Sequence, residues 1–199
     1  MPIDQKERNF LGYFLPNKPI IIAIIAIFAA LTSALTFIVP ITIPATQGYI
    51  NLGDIGVMIS GILFGPLIGG MAGGIGSALT DIILAPIYAI PTLIIKGLEG
   101  FIVGFIADPR KYYKKINFRD ILAVILGGSL MAYGYFLTEI YLYGFPSALF
   151  ELFLNVTIQF GLAAVVALLF TKFARKNIII NLPYVFDKIF ISEVLSEDA

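Results

Sequence analysis

Long runs of apolar residues separated by short polar breaks dominate the chain, and the runs have the length of helices that cross a bilayer. The first, 19–39, supplies about 20 residues, enough for a hydrocarbon core of ~30 Å at ~1.5 Å per residue. A polar loop punctuated by Pro and Gly follows at 40–53 (PITIPATQGYINLG). From 54 to 107 the chain is apolar almost throughout, and two breaker clusters divide it: Gly65-Pro66, and the pair Pro86 and Pro91. They predict spans near 54–65, 66–85 and 91–107, the first of them short for a bilayer. A polar and basic stretch, 108–119, precedes a span near 120–143, a tight turn at Gly144 to Pro146, and a last span near 147–171. The pattern predicts an all-α membrane protein of six transmembrane helices. These form one domain, 19–172, between an N-terminal arm (1–18) and a C-terminal tail (173–199).

Composition agrees with that reading and narrows the chemistry. The chain is 59% hydrophobic and 13% charged, where soluble domains carry roughly 25% charged residues. Its net charge of zero gives no reason to expect nucleic acid. With no Cys and no His, disulfides, imidazole-based catalysis and the common zinc sites drop out, and neither metal nor cofactor is expected. The first apolar run suits a retained span better than the ~7–15-residue core of a signal peptide.

Charge placement predicts orientation. Of the thirteen Lys and Arg residues, all but Lys96 fall in the arm, the 108–119 loop or the region from Lys172 onward. Six spans put these three places on one side, which the positive-inside bias makes cytoplasmic, with both termini there. The loops at 40–53, 85–91 and 143–147 carry no Lys or Arg and face outward. The tail places Val185, Phe186, Ile189, Phe190 and Leu195 at helical spacing, which reads as a segment lying on the membrane surface or facing a partner.

This topology gives each intramembrane polar residue a depth. Lys96 and Glu99 lie about 8 and about 12 Å into the fourth span from its outer end. Tyr135 and Glu139 occupy the outer half of the fifth. Glu151, Asn155 and Gln159 descend from the outer end of the sixth to its middle. Spacings of three, four and eight residues put each set on one helix face. Charge facing lipid costs at least ~2.5 kcal/mol, so such faces turn toward protein or water. Three of them at one depth predict an enclosed site open to the outside, with Tyr49, Tyr88 and Tyr133 as further candidates. Plainer readings stand beside this one. Lys96 can snorkel to the surface or simply pair with Glu99, Asp54 can cap the second helix, Asp81 lies near an interface, and solvation can account for Glu151.

Small residues form a second pattern. Ala26, Ala30 and Ala34 recur every fourth residue in the first span, as do Gly65, Gly69, Gly73 and Ser77 in the third. Gly97, Gly100 and Gly104 line the fourth. Such strips allow helices to approach closely, either within the chain or against a partner.

Three segments together resemble a known family: YINLGD (Tyr49 to Asp54), ISGILFGPLIGGMAGGIGSALTDI (Ile59 to Ile82) and TLIIKGLEGFIVG (Thr92 to Gly104). They are similar to the substrate-binding S component of energy-coupling factor (ECF) vitamin transporters, over roughly 20–172. The resemblance implies a non-enzymatic subunit in the cell membrane that captures a water-soluble vitamin or precursor. Riboflavin, a pyridoxine-like compound and a hydroxymethylpyrimidine are all open. It implies a lid made by the first external loop, and partners comprising a transmembrane coupling subunit and two ATPase subunits. Carried onto this sequence, the ligand contacts are Tyr49, Asn51, Lys96, Glu99, Tyr135, Glu139, Asn155 and Gln159. The coupling-subunit contacts are Ala26, Ala30 and Ala34. The chain has no P-loop motif, so ATP hydrolysis belongs to the partners. The absence of Trp and His leaves some pockets of the family unmatched. The rival expectations are an intramembrane enzyme acting on a lipid or isoprenoid, with Asp54, Asp81, Glu99 and Glu139 as acid and base groups, and a membrane scaffold that binds nothing small.

Overall fold

The computed structural model describes residues 9–190. A short antiparallel ribbon, β1 (Asn9–Phe10) and β2 (Tyr13–Phe14), precedes α1 (Pro19–Ile38). A second ribbon, β3 (Ile41–Ile43) and β4 (Gly48–Ile50), fills the loop after α1. Then come α2 (Gly53–Phe64), α3 (Pro66–Leu84), a 3₁₀ turn at Pro86–Tyr88, α4 (Ala89–Ala107) and α5 (Phe118–Tyr143). The last helical run begins as α6 (Phe145–Leu154), widens to π geometry over Asn155–Phe160, and continues as α7 (Gly161–Phe170). A second π turn, Thr171–Arg175, leads into α8 (Lys176–Asn181), followed by the single turn α9 (Pro183–Phe186). Among the described residues, five helical segments are long and apolar enough to cross a membrane, and α2 is a shorter apolar helix. The architecture is that of an all-α membrane protein carrying two small ribbons.

The breakers act where the pattern placed them. Gly65 adopts φ +84 between α2 and α3, a left-handed conformation that glycine adopts without strain. Pro66 then starts α3, where its missing N–H costs nothing. Pro91 sits inside the first turn of α4, another position that tolerates proline, so that helix starts at Ala89, two residues earlier than predicted. The glycine strips serve internal packing: a Cβ on Gly100 would lie 2.2 Å from the Gly69 carbonyl oxygen, so α3 and α4 pack backbone to backbone.

Three expectations change at the end opposite the β3–β4 ribbon. The last helical run does not stop near 171 but reaches Asn181. A bend at Leu182-Pro183 then turns the chain back, and Phe186, Ile189 and Phe190 bury against Tyr13, Phe14, Ile21 and Phe64. The tail's apolar positions, read from sequence as membrane- or partner-facing, thus close one end of this chain's own core; Leu195 lies outside the described residues. Arg175, grouped with the topology-setting charges, is fully buried: its guanidinium grips Asp120 at 2.5 and 3.0 Å and donates to the Lys115 carbonyl at 2.9 Å.

Candidate functional site

The β3–β4 ribbon lies over the opposite end of the bundle as a lid. Four side-chain hydrogen bonds tie it to the helices among the described residues. Thr46 Oγ1 donates to Glu151 of α6, and Tyr49 Oη donates to Asp81 of α3. The Asn51 N–H donates to Gln159 Oε1 at 2.9 Å, and Tyr88 Oη donates to the Thr46 carbonyl at 2.9 Å. At roughly 1 kcal/mol each, such bonds hold a segment closed without making it permanent. Burial and the neighbouring Asp81 carboxylate push the Tyr49 phenol well above its ordinary range, so it remains a donor.

Beneath the lid is a pocket lined by Gly48, Tyr49, Asn51, Asp81, Tyr88, Tyr135, Glu151, Asn155 and Gln159. Its empty space is about 310 Å³ when the open mouth is counted, but the room a water-sized sphere can reach inside is about 20 Å³, enough for about one water while the lid is closed. The Tyr88 and Tyr135 rings stand 6.3 Å apart, and Tyr135 is held by a 2.8 Å hydrogen bond to Thr92 of α4. Asn155 and Gln159 both come from the first π turn, a helix irregularity that is frequent at functional sites. The lining carries two carboxylates, three amides and three phenols, and no Lys or Arg.

Lys96 lies behind this lining. It is 1% exposed, so it does not snorkel to the surface. Its ammonium pairs with Asp54 and stands 3.4 Å from Glu99 Oε2, and it lies 5.5 Å from the Tyr135 ring. Asp54 is therefore an ion-pair partner and not the cap of α2, whose first N–H, that of Gly53, donates to Asn51 Oδ1 at 2.8 Å. Gln159 joins the two layers: its Oε1 faces the lid, and its Nε2 donates to Asp54 Oδ2 at 3.1 Å.

Of the residues singled out from sequence, Tyr49, Asn51, Tyr135, Asn155 and Gln159 line the pocket, with Lys96 and Glu99 in the layer beneath. Glu139 is fully buried beside Glu151, behind the pocket wall. Tyr133 is 59% exposed and stands apart from the site. Glu151, whose polarity solvation could have explained, is 4% exposed. Thr46 was not legible, because its partner lies 105 residues away. Ala26, Ala30 and Ala34 line an apolar groove between α1 and α3 that shares no lining residue with the pocket.

Comparison with known proteins gives this geometry a context. The family model described as ECF-type riboflavin transporter, S component, matches residues 17–176. The chain is 30% identical over 162 residues to the thiamine precursor transporter HmpT of Lactococcus lactis subsp. cremoris (strain MG1363), covering 80% of this chain and 90% of that protein. It is 46% identical over 121 residues to an uncharacterised protein of Pyrococcus woesei, covering 61% of this chain and 79% of the other.

Proposed function

The chain belongs to the family of ECF-type riboflavin transporter S components, and from that membership we propose that it captures a single-ring, neutral or cationic vitamin precursor at the outer face of the membrane. An S component is an integral membrane transport subunit and not an enzyme, so the lipid-modifying reading is set aside.

The observation that carries the substrate reading is the charge of the pocket wall. Asp81 and Glu151 present acceptors, the amides and phenols present both donors and acceptors, and no cation lines the space. Such a wall favours a ring bearing amino or ring N–H groups and disfavours phosphate esters, which need Lys, Arg or helix N-termini. A 4-aminopyrimidine with a hydroxymethyl arm has this chemistry. The HmpT relative, a thiamine precursor transporter, points the same way. Tyr88 and Tyr135 supply aromatic surface for the ring. Riboflavin is the second reading, favoured by the family description. Either ligand requires the lid to lift from its closed position; a tricyclic ring with a sugar-like chain also requires the two tyrosines to part.

Uptake in this reading is powered by a transmembrane coupling subunit and two ATPase subunits, with the groove at Ala26, Ala30 and Ala34 as the docking face. The test is a thermal-shift panel on the purified chain with hydroxymethylpyrimidine, pyridoxine and riboflavin. The expected result is a large shift with hydroxymethylpyrimidine. A shift with riboflavin alone selects the second reading, and no shift with any of the three defeats the proposal.

A further inference from the structure

The ligand pocket does not account for Glu139. Its side chain is 0% exposed, and neither carboxylate oxygen has a hydrogen-bond partner. It faces Glu151, which projects from the next helix. The other titratable groups near the pair are the phenols of Tyr88 and Tyr143. The lid brings the Thr46 hydroxyl, which donates to Glu151, and the backbone of Gly48. No Lys or Arg pairs with either carboxylate among the described residues.

Two ionised carboxylates cannot share a dry site without a cation. Each unpaired charge costs several kcal/mol to bury, and the repulsion between them adds to that. The usual resolution is a single proton held between two carboxyl groups. The seal over this pair is the lid itself. A Cβ added at Gly48 would lie 2.9 Å from Glu151 Oε1, so the lid passes close over that carboxylate, and with the lid in place Glu139 is 0% and Glu151 4% exposed.

We propose that Glu139 and Glu151 form a proton-binding site whose occupancy is linked to lid closure. In the closed state the Glu139 carboxyl donates its proton to the Glu151 carboxylate, which also accepts from Thr46. When the lid lifts, water reaches both groups, both ionise as ordinary carboxylates do near neutral pH, and one proton leaves to solvent. Closure takes one proton back up. The lid is therefore held more firmly as pH falls and more loosely as pH rises. This link depends on the lid and the carboxyl pair, so it holds whichever ring compound the pocket takes.

The test needs no ligand. With the purified chain in nanodiscs, hydrogen exchange of the Gly48 and Asn51 amides is followed between pH 6 and 8 and corrected for intrinsic exchange. Lid opening in the wild type is expected to rise by up to roughly tenfold per pH unit, the limit for release of one proton. Glu139→Gln is expected to flatten this dependence, because an amide donates to Glu151 without titrating. Asp81, the other carboxylate under the lid, is present in both proteins, so the difference isolates the pair. Infrared spectra at pH 7 give a second readout: a protonated carboxyl band present in the wild type and lost in Glu139→Gln. The double variant Glu139→Gln with Glu151→Gln, which keeps an acceptor for Thr46 and leaves no carboxyl at the pair, checks the same band should the first variant fold poorly. Lid opening in the wild type that does not change with pH, or a carboxyl band that survives both substitutions, would overturn the proposal.

Discussion

Two fully buried cations, one at each end of the bundle, have opposite surroundings. Arg175 meets one carboxylate, Asp120, in a two-pronged contact of 2.5 and 3.0 Å, with the Lys115 carbonyl as a further acceptor. Asp120 also caps α5 by accepting from the Asn117 N–H at 2.9 Å. Charge balances there, and the arrangement is a clamp between the start of α5 and the last helical run. Lys96 meets two carboxylates, Asp54 and Glu99, and both Glu99 oxygens lack a hydrogen-bond partner. This cluster is over-supplied with acceptors, stands directly beneath a pocket, and reaches the lid through Gln159. A balanced pair fixes structure, whereas an unbalanced one beside a cavity leaves polarity to serve a ligand. Burial alone does not separate the two, but the partner count does.

Substitutions at the two ends should therefore fail in different ways. Arg175→Met leaves Asp120 buried and unpaired, a change that costs roughly 3–5 kcal/mol. The expected outcome is a large fall in the thermal midpoint in detergent, with ligand affinity unchanged in whatever protein stays folded. Lys96→Ala leaves Asp54 and Glu99 without their cation and should also lower the thermal midpoint. Unlike Arg175→Met, it should weaken ligand binding in the folded fraction tenfold or more, about 1.4 kcal/mol, read by calorimetry. Unchanged affinity would mean that the ammonium serves only its carboxylate partners. Thr46→Val removes one lid hydrogen bond, worth about 1 kcal/mol, so ligand release measured by stopped flow should speed up by about fivefold. Ala30→Leu should leave binding untouched and abolish uptake by the reconstituted transporter. Full uptake in that variant would move the coupling face away from α1.

What the sequence made legible follows from distance along the chain. Helix breaks depend on Gly65-Pro66 and the Pro86 and Pro91 pair, local signals that placed α2, α3 and α4 to within about two residues. Intramembrane polarity is equally plain in an apolar chain, so Lys96, Glu99, Asn155 and Gln159 stood out. Their pairing did not. Asp54 at a helix start looks like a cap, and only the fold brings it to Lys96. Arg175 belonged to a basic cluster by sequence, while its partner lies 55 residues away. The π turn that aims Asn155 and Gln159 into one pocket has no marker in composition, because it answers to the packing of neighbouring helices. The tail's apolar spacing was visible, but the surface it covers is formed by Tyr13 and Phe14 at the other terminus.

The central claim is that the pocket under the lid, walled by carboxylates, amides and phenols without a cation, selects an uncharged or cationic ring. Isothermal titration of the purified chain with hydroxymethylpyrimidine and with its phosphate ester tests it directly. The account predicts tight binding of the free alcohol, loss of that binding in Asn155→Ala, and binding of the phosphate at least about a hundredfold weaker, near 2.7 kcal/mol. Equal or tighter binding of the phosphate would contradict it.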